Sequence, residues 1–140
     1  MNTLTRAARL PTNRLPTVVT LVGLAGTTVA TWWLWLGSDT GYQVDPVTNT
    51  SSGPYEPWQV VGCVLCLVGL AVVGALLLRR PWLIVPTMTV AFVLPWSVVA
   101  SARDDSGLWG VGAVLLTAAM VAGTLLVASA VAGLRRFRRR

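Results

Sequence analysis

The chain has 140 residues, of which 54% are hydrophobic and only 11% are charged. Typical globular proteins carry about 25% charged residues, so this composition excludes an ordinary soluble domain. The eleven basic residues are all arginines, and the absence of histidine removes the usual proton shuttle and metal ligand. The length corresponds to one domain, residues 1–140. The all-arginine basic set favours a bacterial origin with a GC-rich genome.

Four apolar segments are long enough to cross a membrane, because about 20 largely apolar residues span its roughly 30 Å hydrocarbon core. They cover about residues 17–36, 58–78, 82–102 and 108–134, and none contains an acidic or basic residue. Three arginines precede the first segment, as in a signal peptide. However, the segment exceeds a typical signal core of ~7–15 residues and lacks a small-residue cleavage site. We therefore predict an all-α membrane protein with four transmembrane helices in an antiparallel bundle.

The polar connection between the first two segments, residues 37–57, is much longer than the usual ~4–6 residues. Turn-forming sequences interrupt it, and a short extended piece is expected around Tyr42–Val44. Its three acids, Asp39, Asp45 and Glu56, would suit a cation by charge but lack ligand spacing. We therefore predict a folded loop that covers the bundle, with no metal and no cofactor.

Six of the seven tryptophans lie toward the segment ends that are on the same side as loop 37–57, and only Trp82 lies on the other side. Indole rings prefer the headgroup level, so an aromatic belt is the simplest interpretation. A belt normally occupies both interfaces, whereas these tryptophans gather at one. The alternative interpretation is an outer surface that binds a partner or an apolar ligand. The residues predicted for that surface are Trp35, Tyr42, Asp45, Tyr55, Glu56 and Trp58.

The second segment contains the sequence CVLC, from Cys63 to Cys66, near its outer end. In this respect it resembles four-helix membrane thiol enzymes of the vitamin K epoxide reductase type. That family also passes electrons through a cysteine pair in its outer loop, and this loop has none. Thiols buried in apolar surroundings are inert. Gly62 with Cys66, and Ala71 with Ala75, have the spacing that lets membrane helices approach closely, so we favour packing and predict no catalytic residue.

The third segment carries Pro86 and Pro95, which are expected to interrupt its helix because each removes a backbone hydrogen bond. We favour an effect on helix shape over gating. The two-arginine connection before it predicts that the second and third helices form an antiparallel pair. Six threonines in the spans would either line a path for passive conduction or donate hydrogen bonds to backbone carbonyls of their own helices. They are Thr27, Thr28, Thr31, Thr87, Thr89 and Thr117.

The fourth segment follows Asp104, Asp105 and Ser106, whose side chains suit the exposed amides at a helix start. It is rich in small residues. Ala119 with Gly123, and Ala128 with Ala132, repeat the close-packing spacing, which suits contact with a helix of this chain or of another protein.

Ten of the eleven arginines lie on one side of the predicted bundle, and all five acids lie on the other. Arginine-rich short loops stay cytoplasmic, so we predict a protein of the cytoplasmic membrane with both termini inside and loop 37–57 outside. The basic tail would contact the anionic inner leaflet, where each basic residue contributes roughly 1 kcal/mol, rather than nucleic acid. The arginines of this tail, residues 135–140, are Arg135, Arg136, Arg138, Arg139 and Arg140.

No constellation of catalytic residues is present in the sequence. The leading hypothesis is a non-enzymatic accessory or scaffold subunit that packs against another membrane protein. The first alternative is a homo-oligomeric passive pore or a small transporter-like protein. Small multidrug transporters also have four spans, but they depend on an acidic residue in the first span, which is missing here. A more remote alternative is a thiol redox enzyme that uses Cys63 and Cys66.

Overall fold

A computed structural model describes residues 15–37, 43–44, 51–52, 56–104, 106–138 and 140. Within these residues, four helices are long and apolar enough to cross a membrane, as the sequence predicts. They are α1 (Leu15–Trp32), α2 (Pro57–Leu77), α3 (Ile84–Ser101) and α4 (Trp109–Phe137). A π-helical turn (Trp33–Gly37) extends α1, and a 3-10 turn (Pro81–Leu83) precedes α3. In the connection between α1 and α2, β1 (Gln43–Val44) pairs antiparallel with β2 (Ser51–Ser52).

Prolines mark the start of three helical segments. Pro16 is the second residue of α1, Pro57 is the first residue of α2, and Pro81 opens the 3-10 turn. A proline is tolerated there because the missing N–H has no helical acceptor. The backbone N–H of Glu56 donates to Oε1 of Gln59 at 2.8 Å within a capping box, which satisfies a further amide at the start of α2.

A turn that contains Asp104 caps the start of α4. The Asp104 carboxylate accepts hydrogen bonds from the backbone N–H of Ser106 at 2.8 Å, from the Ser106 hydroxyl and from the backbone N–H of Trp109. The bonds from Ser106 hold the pKa of Asp104 below its ordinary value, because they stabilise the charged form. Gly107, at φ 75°, supplies the left-handed residue of the turn. Asp105 lies outside the described residues.

The helices are arranged around the bundle in the order α1, α3, α4, α2. The most extensive contact is between α3 and α4, followed by that between α1 and α3, while α2 packs against α4 and α1. The consecutive helices α2 and α3 share much less contact, which differs from the expectation that they form a packed pair. The link of residues 78–80 limits only the distance between two helix ends. The buried side chains decide which helices become neighbours.

Buried residues recur every four positions along three of the helices. On each helix this spacing produces one stripe that faces the other helices. The stripes are Leu24, Thr28, Trp32 and Leu36 on α1 with its π-helical turn, Ile84, Met88 and Phe92 on α3, and Met120, Thr124 and Ala128 on α4. Large apolar side chains also cover the exposed faces of all four helices. Such an exposed apolar surface suits a lipid environment better than water.

Most threonine hydroxyls of the spans bond within their own helix. At 2.7–2.9 Å, five of them donate to the carbonyl four residues earlier, namely Thr27, Thr28, Thr31, Thr87 and Thr117. The Thr89 hydroxyl is buried and has no partner among the described residues. The back-bonding alternative therefore holds for five of the six threonines.

The two prolines of the third segment differ in position. Pro95 lies inside α3, where its ring removes the hydrogen bond that residue 95 would donate to the Ala91 carbonyl. Pro86 lies in the first turn of α3, where backbone amides have no acceptor within the helix. Both prolines lie within one continuous helix, and their expected effect on its shape stays a prediction.

Candidate functional site: a lateral groove between two helices

An apolar groove opens sideways between α2 and α4, with α3 as its floor. Its volume is about 440 Å³. It runs along α2 from Val60 to Ala71, which corresponds to roughly 16 Å at 1.5 Å per residue. Its walls include Cys63, Val64, Leu67 and Val68 on α2 and Leu116, Ala119, Gly123 and Thr124 on α4, and its floor includes Met88, Phe92 and Trp96. The groove therefore lies alongside the middle of the helices, at the depth of the predicted hydrocarbon core.

Small residues explain why the groove closes at one end and stays open at the other. Ala71, Ala75 and Ala128 are fully or almost fully buried, as expected where α2 and α4 pack closely. Ala119 and Gly123 are exposed, and a methyl group placed on Gly123 would meet no atom within 4 Å. No other helix in the described part of the chain therefore packs closely on the small-residue pair Ala119 and Gly123.

The closed end of the groove is tied by Arg135, which belongs to the last turns of α4. Its guanidinium donates hydrogen bonds to the backbone carbonyls of Ala75 at 2.8 Å, of Leu78 at 3.0 Å and of Leu76. The last carbonyls of a helix have no N–H donor within that helix, so an arginine from a neighbouring helix can donate to them. Arg135 therefore connects the ends of α2 and α4, in addition to any contact with lipid. Arg136 in the same turn is exposed.

At the other end of the bundle, Trp35 packs across the start of α2. Its ring lies against Gly62, where a methyl group would overlap the indole. It also meets the Trp58 ring edge to face, with ring centroids 6.0 Å apart and an interplanar angle of 70°. The expectation that Gly62 and Cys66 form a helix-approach step is therefore wrong, because Gly62 accommodates an indole ring and Cys66 is exposed.

A second tryptophan–glycine contact joins α3 to α4. Trp96 lies against Gly112, where an added Cβ would be 2.8 Å from the ring. Trp32 is buried in the core, and its indole N–H has no hydrogen-bond partner among the described residues. Trp33 and Trp58 are exposed. Some of the aromatic residues at this end thus hold helices together, while others face outward as a belt would require.

The structure describes half of the predicted outer surface. Trp35 and Trp58 are in contact, and Glu56 is exposed just before α2. The other three predicted residues, Tyr42, Asp45 and Tyr55, lie outside the described residues. The groove itself was not predicted. The spacing of Ala119 and Gly123 was a signal for it, whereas Met88 and Phe92 carry no sequence signal that distinguishes a groove floor from an ordinary core.

The two cysteines have different surroundings. Cys63 is buried in the groove wall, and Cys66 is exposed outside it; both are free thiols. Among the described residues, no group of three or more histidine, cysteine or acidic side chains is placed to hold a metal ion.

The fold and the groove together define a class of protein. The described chain is built on four helices that are long and apolar enough to cross a membrane, which fits a multi-pass helical membrane protein. Comparison with models of known protein families, with curated proteins and with solved structures finds no match to this chain.

Proposed function

We propose that the chain is a bacterial protein of the cytoplasmic membrane, an antiparallel bundle with both termini inside and loop 37–57 outside. Two contacts between helix ends support an arrangement in which successive helices run in opposite directions. Trp35 at the end of α1 lies against Gly62 near the start of α2, and Trp96 near the end of α3 lies against Gly112 near the start of α4. The separation of arginines from acids supports the orientation.

A fusion test checks this topology. Fluorescent protein at the C terminus is expected to fluoresce, and alkaline phosphatase at the same position is expected to be inactive, because both report a cytoplasmic end. A phosphatase inserted in loop 37–57 should be active. Active phosphatase at the C terminus would contradict the orientation.

We further propose that the protein is a non-enzymatic accessory subunit that receives a transmembrane helix of another membrane protein in the groove between α2 and α4. The observation that carries this proposal is the exposed pair Ala119 and Gly123 in the groove wall. Small residues at this spacing allow a helix backbone to approach closely. The pair is open along one side of the groove, whereas Ala128, which belongs to the second predicted close-packing step, is fully buried.

The dimensions of the groove suit one face of a helix. A length of roughly 16 Å corresponds to about eleven helical residues, which present side chains at positions i, i+4 and i+7 along one line. The volume of about 440 Å³ accommodates that row of side chains, with the partner backbone seated against the small residues. Van der Waals packing of this kind drives helix association in lipid, where the hydrophobic effect does not.

A blocked groove tests the proposal. Gly123→Leu is expected to abolish co-purification of a stoichiometric membrane partner in mild detergent, because the new side chain occupies the groove. The fold should tolerate it, since open space surrounds Gly123 and leucine has the higher helix propensity. Gly133→Leu is the matched control, because Gly133 lies on the same helix, also has open space and does not line the groove.

Photo-crosslinking identifies the occupant. A photoreactive amino acid at position 119 is expected to form an adduct with a different membrane protein, and Gly123→Leu should prevent it. An adduct with a second copy of the chain would favour the homo-oligomeric alternative and contradict the proposal, as would adducts with lipid alone. Loss of the partner in both glycine variants would also count against the groove.

The accessory role is preferred to the pore because of the threonines. A passive path needs polar groups that face it, and five of the six candidate hydroxyls are bonded to their own helices. No observation favours the thiol enzyme, since Cys63 is buried and lines the groove, whereas Cys66 is exposed and does not line it.

A further inference from the structure

We infer that the arginines at the C-terminal ends of α2 and α4 form a single binding site for a membrane phospholipid that carries two phosphates. The site comprises Arg79 and Arg80 after α2, together with Arg136 and Arg138 at the end of α4. It is separate from the proposed partner groove, and it relies only on the insertion of the helices in a membrane.

The tertiary structure brings the two arginine groups together across more than fifty residues of sequence. The Arg135 guanidinium bonds to the carbonyl of Leu78, the residue that directly precedes Arg79. The adjacent 3-10 turn, Pro81–Leu83, also packs against α4. Because Arg135 is held by α2, the end of α4 that carries Arg136 and Arg138 adjoins the connection that carries Arg79 and Arg80.

The charges of this cluster are not neutralised within the described part of the chain. Arg79, Arg80, Arg136 and Arg138 are all exposed, and none of them has an ion pair among the described residues. The two acids that the structure describes are remote from this end, because Glu56 precedes the start of α2 and Asp104 precedes the start of α4. A polyanion is therefore the complementary ligand for the cluster.

A lipid is favoured over a soluble polyanion because aromatic side chains flank the arginines. Phe137 and Trp82 are exposed next to the two arginine groups, at 82% and 50%. Aromatic rings at such positions suit the interface between headgroups and acyl chains. Basic pockets between membrane helices bind headgroups of the cardiolipin kind, in which two phosphates are joined by one glycerol. Two arginine groups on adjoining elements match two phosphates.

The test uses the purified full chain in mild detergent, with lipid added and bound lipid counted by native mass spectrometry. Cardiolipin is expected to bind with a stoichiometry of one and more tightly than phosphatidylglycerol, which has one phosphate. Arg79→Gln and Arg136→Gln are each expected to weaken cardiolipin binding about fivefold, since one arginine contributes about 1 kcal/mol. The double variant should show non-additive loss, because one lipid contacts both residues.

Two controls make the outcome decisive. Arg103→Gln removes one charge at the opposite end of the bundle and should leave cardiolipin binding unchanged. If it weakened binding as much as Arg79→Gln or Arg136→Gln, net charge alone would explain the effect and the proposed site would be wrong. Inorganic pyrophosphate should not compete with cardiolipin, whereas effective competition would indicate a soluble ligand instead. Because no partner protein is present, failure here would leave the groove proposal standing, and failure of the groove would leave this site standing.

Discussion

Replacing Arg135 by glutamine is expected to lower the free energy of unfolding by about 2 kcal/mol in lipid-free detergent, since hydrogen bonds to charged groups contribute roughly 1.5–3 kcal/mol. The variant loses the guanidinium that binds the carbonyls of Ala75, Leu76 and Leu78. Titration with a denaturing detergent, followed by circular dichroism, measures the change. The same loss should loosen the closed end of the groove, because Arg135 ties α2 to α4 there.

Two further variants separate the hydrogen bonds from the charge. Arg135→Lys keeps the charge but lacks the planar guanidinium that donates to several carbonyls. It should therefore retain only part of the stability that Arg135→Gln loses. Arg136→Gln, one residue away and exposed, should change the free energy of unfolding by less than about 0.5 kcal/mol. Equal effects of Arg135→Gln and Arg136→Gln would show that net charge, and not the tie to α2, is responsible.

Gly62→Ala is expected to destabilise the bundle by about 1–3 kcal/mol, the usual cost of adding a methyl group to a filled site. The new methyl group would overlap the Trp35 ring, which also packs edge to face on Trp58. The indole must then leave α2, and the contact between the end of α1 and the start of α2 is lost. The same denaturing titration measures this effect.

Gly69→Ala is the matched control for this prediction. Gly69 lies two turns further along α2 with open space around it, so its methyl group should be harmless or stabilising by up to about 1 kcal/mol. In addition, Gly62→Ala combined with Trp35→Ala should cost less than the sum of the two single changes, because the overlap disappears with the ring. Simple additivity would mean that the two residues do not interact.

The sequence alone determined the number, the approximate limits and the apolar character of the four helices. Each long segment without charges is an independent local signal, because the length needed to cross the hydrocarbon core does not depend on the neighbouring helices. The proline at the start of α2 and the acidic residue before α4 were local signals in the same sense. These features required no knowledge of which helices touch.

Only the tertiary structure decided the neighbours and the open surface. In a membrane, the outward and inward faces of a helix are both apolar, so periodicity does not identify the partner of each face. Gly62 and Gly123 have similar apolar surroundings in sequence, yet one receives the Trp35 ring and the other lines an open groove. Likewise, Arg135 and Arg136 are indistinguishable in a basic tail, and only the position of the α2 carbonyls separates them. Such contacts depend on the relative rotation of whole helices, which is set by packing between residues far apart in the chain.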